Sequence, residues 1–167
     1  TPVLTCATLD ALAGARLFFK CENFQKVGAF KMRGAANAVF ALTEAAAAHG
    51  VATHSSGNHA QALALAARLR GVPAYVVMPR TAPAVKKAAV QDYGAEIIMC
   101  EPTLAAREAT LAEVVTRTGA AFIHPYDNDH IIAGQGTAAL ELLTDHPDLE
   151  VVMAPVGGGG LLSGTAL

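Results

Sequence analysis

The chain has 167 residues, of which 53% are hydrophobic and 16% charged, and its formal net charge is −2 at pH 7. This composition excludes an intrinsically disordered chain, which needs low hydrophobicity and high net charge. A slightly acidic chain has no electrostatic basis for binding nucleic acid or an anionic membrane surface. No apolar run reaches the ~20 residues that cross a bilayer, so we expect no contact with a membrane.

Cys6, Cys21 and Cys100 are widely spaced and odd in number. This pattern favours neither a disulfide framework nor a zinc site, and we expect a cytoplasmic protein. The histidines show no metal-ligand spacing, so no metal site is expected among these residues. Residues 151–167 read as a strand, a glycine turn and a helix without a stop signal, so we expect the chain to continue beyond Leu167.

Short apolar runs alternate with alanine- and leucine-rich stretches along the chain. The predicted strands are 16–22, 51–54, 74–79, 96–100, 121–124 and 150–156. The predicted helices are 30–50, 58–71, 82–95, 103–120 and one within 134–146 that opens after two glycines.

This alternation predicts an α/β fold with open, mostly parallel twisted sheets that are flanked by helices and joined by right-handed crossovers. The layout predicts two lobes. A small α/β lobe at 50–127 is inserted into a larger lobe built from 1–49 and 128–167. In such sheets ligands bind outside the carboxyl ends of the strands, and three turns there are rich in glycine or polar residues.

The glycine turn runs from Val156 through Gly157–Gly160 to Leu161, between a predicted strand and a helix. Each glycine costs roughly 0.5–1 kcal/mol against alanine in backbone entropy. Four in succession favour a turn whose N–H groups close around an anion such as a phosphate. Neither a P-loop nor a dinucleotide fingerprint matches the spacing. A flexible turn that lets a helix pack closely is the alternative.

The serine turn, residues 53–61, carries two hydroxyls, a carboxamide and an imidazole on Ser55, Ser56, Asn58 and His59. They cluster where free N–H groups of a predicted helix point outward, and this arrangement suits a carboxylate. Ordinary N-capping by Ser56 or Asn58 is the alternative.

Lys31 lies between Phe30 and Met32 at a predicted helix start, with small residues nearby. A nucleophilic lysine must be partly desolvated so that its pKa falls. A solvated surface lysine is the alternative. Arg107, in the middle of a predicted helix, is either a surface residue or a carboxylate clamp.

Together the three turns resemble the fold-type II pyridoxal-phosphate enzymes, especially the serine racemase and serine/threonine dehydratase group. The resemblance covers the whole chain in order and approximate spacing. It rests on TPVLT, FFKCENFQKVGAFKMRGAANAV, THSSGNHAQAL, PAYVVMPRTAP, YGAEI, HPYDN, AGQGTAALE and PVGGGGLLSG. It implies a tryptophan synthase β-like fold whose large lobe is incomplete here, because the family's chains continue for roughly as many residues again.

The resemblance also implies pyridoxal 5'-phosphate as the cofactor. By that resemblance Lys31 forms the internal Schiff base and takes the α-proton on one face of the substrate. Phe30 backs the cofactor ring, and Asn58 hydrogen-bonds the ring hydroxyl. The residues implied to bind the phosphate are Gly157, Gly158, Gly159, Gly160 and Leu161.

For the substrate, the resemblance implies that Ser55 and His59 hold the carboxylate with the helix N-terminus, and that Arg107 engages the substrate. Ser56 matches racemases of the group, whereas biosynthetic threonine dehydratases usually have alanine there; some dehydratases also carry the second serine. A hydroxyl on the face opposite Lys31 can move a proton there, which racemisation needs and β-elimination does not.

We therefore expect a serine racemase with serine/threonine ammonia-lyase activity. The alternatives are a threonine/serine or 3-hydroxyaspartate dehydratase with little racemisation, and a non-catalytic α/β module that binds a phosphorylated metabolite. The resemblance further implies a small amino-acid substrate (serine, threonine or similar), a homodimer, and a divalent cation, Mg²⁺ or Ca²⁺, held by residues outside this chain. We expect residues 1–167 alone to be inactive and not to hold the cofactor stoichiometrically.

Overall fold

The computed structural model describes residues 1–167. Two short strands, β1 (Val3–Leu4) and β2 (Phe19–Lys20), pair antiparallel on either side of helix α1 (Ala7–Ala13) in the chain. The predicted strand at 16–22 is therefore too long. Only residues 19 and 20 pair, because β1 offers two residues and the sheet has no third strand.

Helices α2 (Lys31–Ala41) and α3 (Glu44–Ala47) replace the single helix predicted over 30–50, so that prediction is wrong. The chain leaves helical geometry at Leu42, whose ψ is 141°. Thr43 then caps α3, because its hydroxyl accepts the N–H group three residues further on at 3.2 Å. Threonine is a better N-cap than helix-interior residue, which explains the break.

A four-stranded parallel sheet lies at the centre, in the order β5-β4-β3-β6. Its strands are β3 (Val51–His54), β4 (Ala74–Pro79), β5 (Glu96–Cys100) and β6 (Ala121–Phe122). The parallel α/β architecture is confirmed, and β6 is two residues shorter than predicted. The division into two lobes at 50–127 stays a prediction.

Helices cover both faces of this sheet. Helices α4 (Asn58–Arg70) and α5 (Ala84–Asp92) pack with α2 in one apolar cluster, and α6 (Leu104–Thr118) packs in a second. Successive strand residues alternate between the two clusters: Val76 joins the first and Val77 the second. Both strand faces are buried, as continuous apolar runs require.

Helix α7 (Asp129–Asp145) begins five residues before the helix predicted within 134–146, so the predicted start is wrong. The Asn128 side chain caps α7 by accepting the N–H of Ile131 at 3.0 Å. Gly134 and Gly136, the two glycines predicted to precede the helix, lie inside it. There they allow close contact with neighbouring helices. The last helix, α8 (Gly160–Ala166), follows the glycine turn.

The predicted strand at 150–156 is absent. A strand is defined by backbone hydrogen bonds to a neighbour, and no strand of this chain pairs with these residues. Val151 and Met153 are instead 71% and 83% exposed. No helix in the structure combines the length and apolar character that crossing a membrane requires.

Candidate active site

Lys31 is the first residue of α2, which follows two single 3₁₀ turns, Glu22–Phe24 and Lys26–Gly28. The second turn ends with two residues in the left-handed region, Val27 at φ 59° and Gly28 at φ 67°. This conformation is unusual for a β-branched residue and marks a strained position. This turn changes the direction of the chain shortly before α2 begins at Lys31.

The Lys31 side chain is half-buried and has no carboxylate partner. Its Nζ donates a hydrogen bond to the Pro125 carbonyl oxygen at 2.8 Å and lies 5.2 Å from the centroid of the Phe30 ring. Burial lowers the pKa of the Lys31 ammonium group. A solvated surface lysine does not match this environment, whereas an amine that can act as a nucleophile does.

The serine turn leaves the N-terminus of α4 open. The Ser55 Oγ accepts a hydrogen bond from the Gly57 N–H at 3.3 Å. Gly57 occupies the N-cap position and offers no side chain, so neither Ser56 nor Asn58 caps the helix. The first three N–H groups of α4 donate no hydrogen bond within the chain, which leaves them available to an anion.

His59 is only 2% exposed, and such burial disfavours the protonated form of its ring. Its Nε2 lies 3.4 Å from the Ile123 carbonyl oxygen, so Nε2 carries the proton. Burial, and next the nearby charge of Lys31, lower the pKa of His59 to about 3. The Nδ1 atom is buried without a partner, as is the Oγ1 of Thr53 at the end of β3. Two buried polar atoms that lack partners therefore belong to the serine turn.

The N–H groups of the glycine turn are unpaired. Those of residues 157–161 donate no hydrogen bond within the chain, and Gly159 has φ 92°, which only glycine adopts readily. Leu161 lines an apolar cavity of about 200 Å³ together with Phe30. The turn thus presents a run of free N–H donors beside this cavity. Leu161 and Phe30, which are both predicted to contact the cofactor, line the cavity.

One connecting segment, Ile123–Tyr126, contacts all three predicted turns. Its Ile123 carbonyl accepts from His59, and its Pro125 carbonyl accepts from Lys31. Tyr126 packs against the glycine turn at Gly158 and Gly160. The lysine, the serine turn and the glycine turn therefore surround a common segment that follows β6.

Arg107 lies on α6, with its Nε buried and without a partner. Its side chain forms no ion pair, and its charge is one of the causes that lower the pKa of His54, after burial and the charge of His124. The rings of these two histidines lie 6.2 Å apart. Arg107 makes no hydrogen bond to Lys31 or Ser56, and its charge acts on His54 at the end of β3.

The sequence did not assign a role to Tyr126, Pro125 or Thr53. The HPYDN motif, which contains Tyr126, carries part of the family resemblance and is the signal in the sequence for that residue. Pro125 contributes a carbonyl oxygen that accepts from Lys31, and Thr53 has a buried hydroxyl without a partner. A residue type alone reveals neither property. No group of three or more His, Cys, Asp or Glu side chains has a geometry that could hold a metal ion.

Comparison with known proteins identifies the family of this chain. Residues 1–167 match the family model described as "Pyridoxal-phosphate dependent enzyme". The chain is 59% identical to a β-hydroxyaspartate dehydratase of Paracoccus denitrificans and 53% identical to a serine racemase of Oryza sativa. Both alignments cover 100% of this chain, and 53% and 49% of those proteins respectively.

The solved structure of maize serine racemase superposes with a TM-score of 0.98 at 51% identity, covering 99% of this chain and 50% of that one. The chain therefore belongs to the pyridoxal-phosphate-dependent enzyme family and has the fold of its fold-type II members. It spans about half the length of the curated relatives it matches.

The residues present fit pyridoxal phosphate. Lys31 offers a half-buried amine without an acidic partner, which suits bonding to an aldehyde. The turn at 157–161 offers five unpaired N–H groups, which suit a phosphate. Both features face the same connecting segment, as one small cofactor requires.

Proposed function

We propose that the whole protein carrying this sequence is a pyridoxal-phosphate-dependent serine racemase with serine/threonine ammonia-lyase activity. The observation that carries the proposal is the hydrogen bond from Lys31 to Pro125, because the next residue, Tyr126, packs on the glycine turn. One segment thereby brings an amine and a phosphate-binding turn to the same place. When bound, the cofactor supplies the electron sink for the carbanion that α-proton removal leaves.

Four features of the chain would hold the cofactor. Lys31 Nζ would carry it through a Schiff-base bond, and the turn at 157–161 would bind its phosphate through backbone N–H groups. Asn58 is exposed, and its carboxamide has no partner within the chain, so it is free to bond the ring hydroxyl. Phe30 would provide an apolar face for the ring.

The substrate carboxylate would bind at the start of α4. The Ser55 hydroxyl already accepts a hydrogen bond and retains its proton for donation. His59 would contribute through its main-chain N–H, because its buried ring stays neutral at pH 7. Arg107 would engage the substrate, since its guanidinium forms no ion pair within the chain and its Nε is buried without a partner.

Two residues would move protons at the substrate α-carbon. Burial lowers the pKa of Lys31 and so makes its neutral amine easier to form, and that amine can accept the α-proton on one face. Ser56 is half-buried and does not cap α4, so its hydroxyl is available to serve the other face. Transfer on both faces gives racemisation. Loss of the β-hydroxyl as water after proton removal leaves an enamine, and hydrolysis of its imine form by water gives ammonia and a keto acid.

A dehydratase with little racemisation is the second candidate. Its support is the 59% identity to the Paracoccus β-hydroxyaspartate dehydratase, beside 53% to the Oryza serine racemase. Under this reading Ser56 serves as a carboxylate contact. A non-catalytic phosphometabolite module is disfavoured, because binding a phosphate does not require a half-buried lysine without an acidic partner.

The remaining expectations stand as parts of this proposal. The small lobe would comprise 50–127, and 1–49 and 128–167 would belong to the larger lobe. A cytoplasmic location is supported by the three free cysteines. The homodimer and the Mg²⁺ or Ca²⁺ site rest on the family resemblance.

The proposal is tested by locating the cofactor on the chain. Borohydride reduction of the pyridoxal-phosphate complex of the whole protein should add one phosphopyridoxyl group to the peptide that contains Lys31. Lys31→Ala should remove this label, while Lys26→Ala, at an exposed lysine five residues earlier, should keep it. A label on another lysine, or none, would overturn the proposal.

A further inference from the structure

The Tyr126 ring fills the space that a side chain at position 158 would need. A Cβ atom built on Gly158 would lie 2.6 Å from Tyr126 Cε1 and still closer to Cγ and Cδ1. A Cβ at Gly160 would lie 3.0 Å from the Tyr126 carbonyl oxygen. By contrast, a Cβ at Gly157 would meet nothing within 4 Å. The tyrosine therefore explains two of the four glycines sterically, and the first glycine serves as a comparison.

Tyr126 is itself held in place. Its ring packs edge-on against the His124 ring at a centroid distance of 4.5 Å and an interplanar angle of 85°. His124 Nδ1 accepts the N–H of Asp127 at 2.8 Å and that of Tyr126 at 3.4 Å. Asn128 then caps α7. The tyrosine is thus fixed by a tight turn on one side and a helix start on the other.

The glycine turn needs a neighbouring group to order it, because four successive glycines retain much backbone conformational freedom when nothing packs against them. A turn that must become ordered when it binds an anion loses affinity through the entropy of ordering. A ring that packs on Gly158 orders the turn beforehand, and pre-ordering raises affinity without any direct contact to the anion.

We propose that Tyr126 is a positioning residue for the phosphate-binding turn, which it orders by packing its ring on Gly158. The inference rests on the proposed function, because it assumes that the turn binds the cofactor phosphate. The tyrosine does not touch the reacting atoms in this role. Its ring matters and its hydroxyl does not.

The first test compares two ligands of the whole apoprotein that differ only in the phosphate. Tyr126→Ala should weaken pyridoxal phosphate binding about tenfold and leave the affinity for unphosphorylated pyridoxal unchanged. Tyr126→Phe keeps the ring and should match the wild type for both ligands. Phe122→Ala is the control, because Phe122 is 42% exposed beside 40% for Tyr126, belongs to the same aromatic cluster and does not contact the glycine turn.

The second test is a double-mutant cycle followed by thermal unfolding of the apoprotein. Gly158→Ala should lower the midpoint in the wild-type background and lower it less when Tyr126→Ala has removed the ring. Gly157→Ala should show no coupling to Tyr126→Ala, because position 157 is open. This cycle remains informative even where one variant binds no cofactor.

The outcomes separate the inference from the proposed function. A wild type that binds no pyridoxal phosphate overturns both. A wild type that binds it, with Tyr126→Ala equally tight or with pyridoxal weakened to the same extent, overturns the role of Tyr126 alone. Absence of coupling between positions 126 and 158 also overturns it.

Discussion

Gly134 on α7 lies directly against Gly34 on α2, so a Cβ atom at position 134 would fall 2.6 Å from the Gly34 Cα. On the same helix, a Cβ at Gly136 would lie 2.9 Å from the carbonyl carbon of Gly164 on α8. Helix α7 therefore touches the lysine helix through one glycine and the helix after the glycine turn through another. These two contacts set the separation between Lys31 and the turn.

Gly134→Ala should lower the free energy of unfolding by about 1–3 kcal/mol, because the added methyl group meets backbone atoms that cannot move aside. The loss is expected even though alanine is the better helix former by about 1 kcal/mol. Denaturant unfolding measures it. Ala133→Ser, at an exposed position on the same helix, should stay within about 0.5 kcal/mol of the wild type. A Gly134→Ala variant as stable as the wild type would contradict the contact.

Arg33 ties α2 to the rest of the chain near Lys31. Its guanidinium donates paired hydrogen bonds to Glu22 at 2.7 and 2.8 Å and to Glu141 on α7 at 2.7 and 2.8 Å. The bonds from Arg33, and next from Lys20, lower the pKa of Glu141 from 4.5 to about 2. Both carboxylates thereby stabilise the position of the first turn of α2.

Glu141→Gln should reduce the stability of the protein by about 1 kcal/mol at pH 7, because the pair is partly exposed. A lowered pKa in the folded state contributes stability that is present above pH 4.5 and is lost as the pH falls towards 2. The stability of Glu141→Gln should therefore fall less steeply than that of the wild type as the pH is lowered from 4.5 towards 2. Glu113→Gln, at an exposed residue without an ion pair, should follow the wild type. Equal slopes for wild type and Glu141→Gln would refute the assignment.

His59 should cause a second loss of stability on acidification, at higher pH than the loss that Glu141 causes. Its pKa falls from 6.5 in the unfolded chain to about 3 in the folded one, mainly through burial. Unfolding then takes up a proton, so His59 should lower stability by about 1.4 kcal/mol per pH unit as the pH falls from 6.5 towards 3. His54 and His124, whose pKa values are also lowered by burial, act in the same direction.

His59→Gln should remove the contribution of His59 to the slope of the unfolding free energy against pH. This contribution is clearest between pH 6.5 and 4.5, where Glu141 does not yet contribute. Urea unfolding at several pH values provides the measurement. His130→Gln, at an exposed histidine, is the matched control and should retain the wild-type slope. A wild-type slope in His59→Gln would mean that its ring is solvated in the native state.

The alternation of strands and helices was predictable because local signals mark it. Gly71 and Gly119 end α4 and α6 in the left-handed conformation, after a basic residue in the last turn of each helix. The errors came from features that depend on neighbours. Residues 150–156 have strand-like composition but no partner strand, and Gly134 lies in a helix interior because another helix packs there.

The site was predictable in its parts and not in its assembly. Lys31, the serine turn and the glycine turn each carry a recognisable local pattern. Their meeting depends on the carbonyl oxygens of Ile123 and Pro125, which every residue type possesses. The neutral state of His59 likewise follows from burial, which the sequence does not express.

Ser56 distinguishes the two catalytic candidates. As the second proton-transfer group it should be essential for racemisation, so Ser56→Ala should lower D-serine formation at least about 100-fold. Elimination needs proton removal on one face, so pyruvate formation by this variant should remain near the wild-type rate. Chiral separation of the products and a pyruvate assay measure the two rates side by side. An equal fall in both would reduce Ser56 to a carboxylate contact.

The most direct measurement follows L-serine with the whole protein and pyridoxal phosphate in heavy water. One proton spectrum and one chiral separation report deuterium at the α-carbon, D-serine and pyruvate together. We expect D-serine that carries α-deuterium, accompanied by pyruvate, and loss of both products in Lys31→Ala. Pyruvate without D-serine would contradict the racemase assignment, and neither product would contradict the proposed activity on serine.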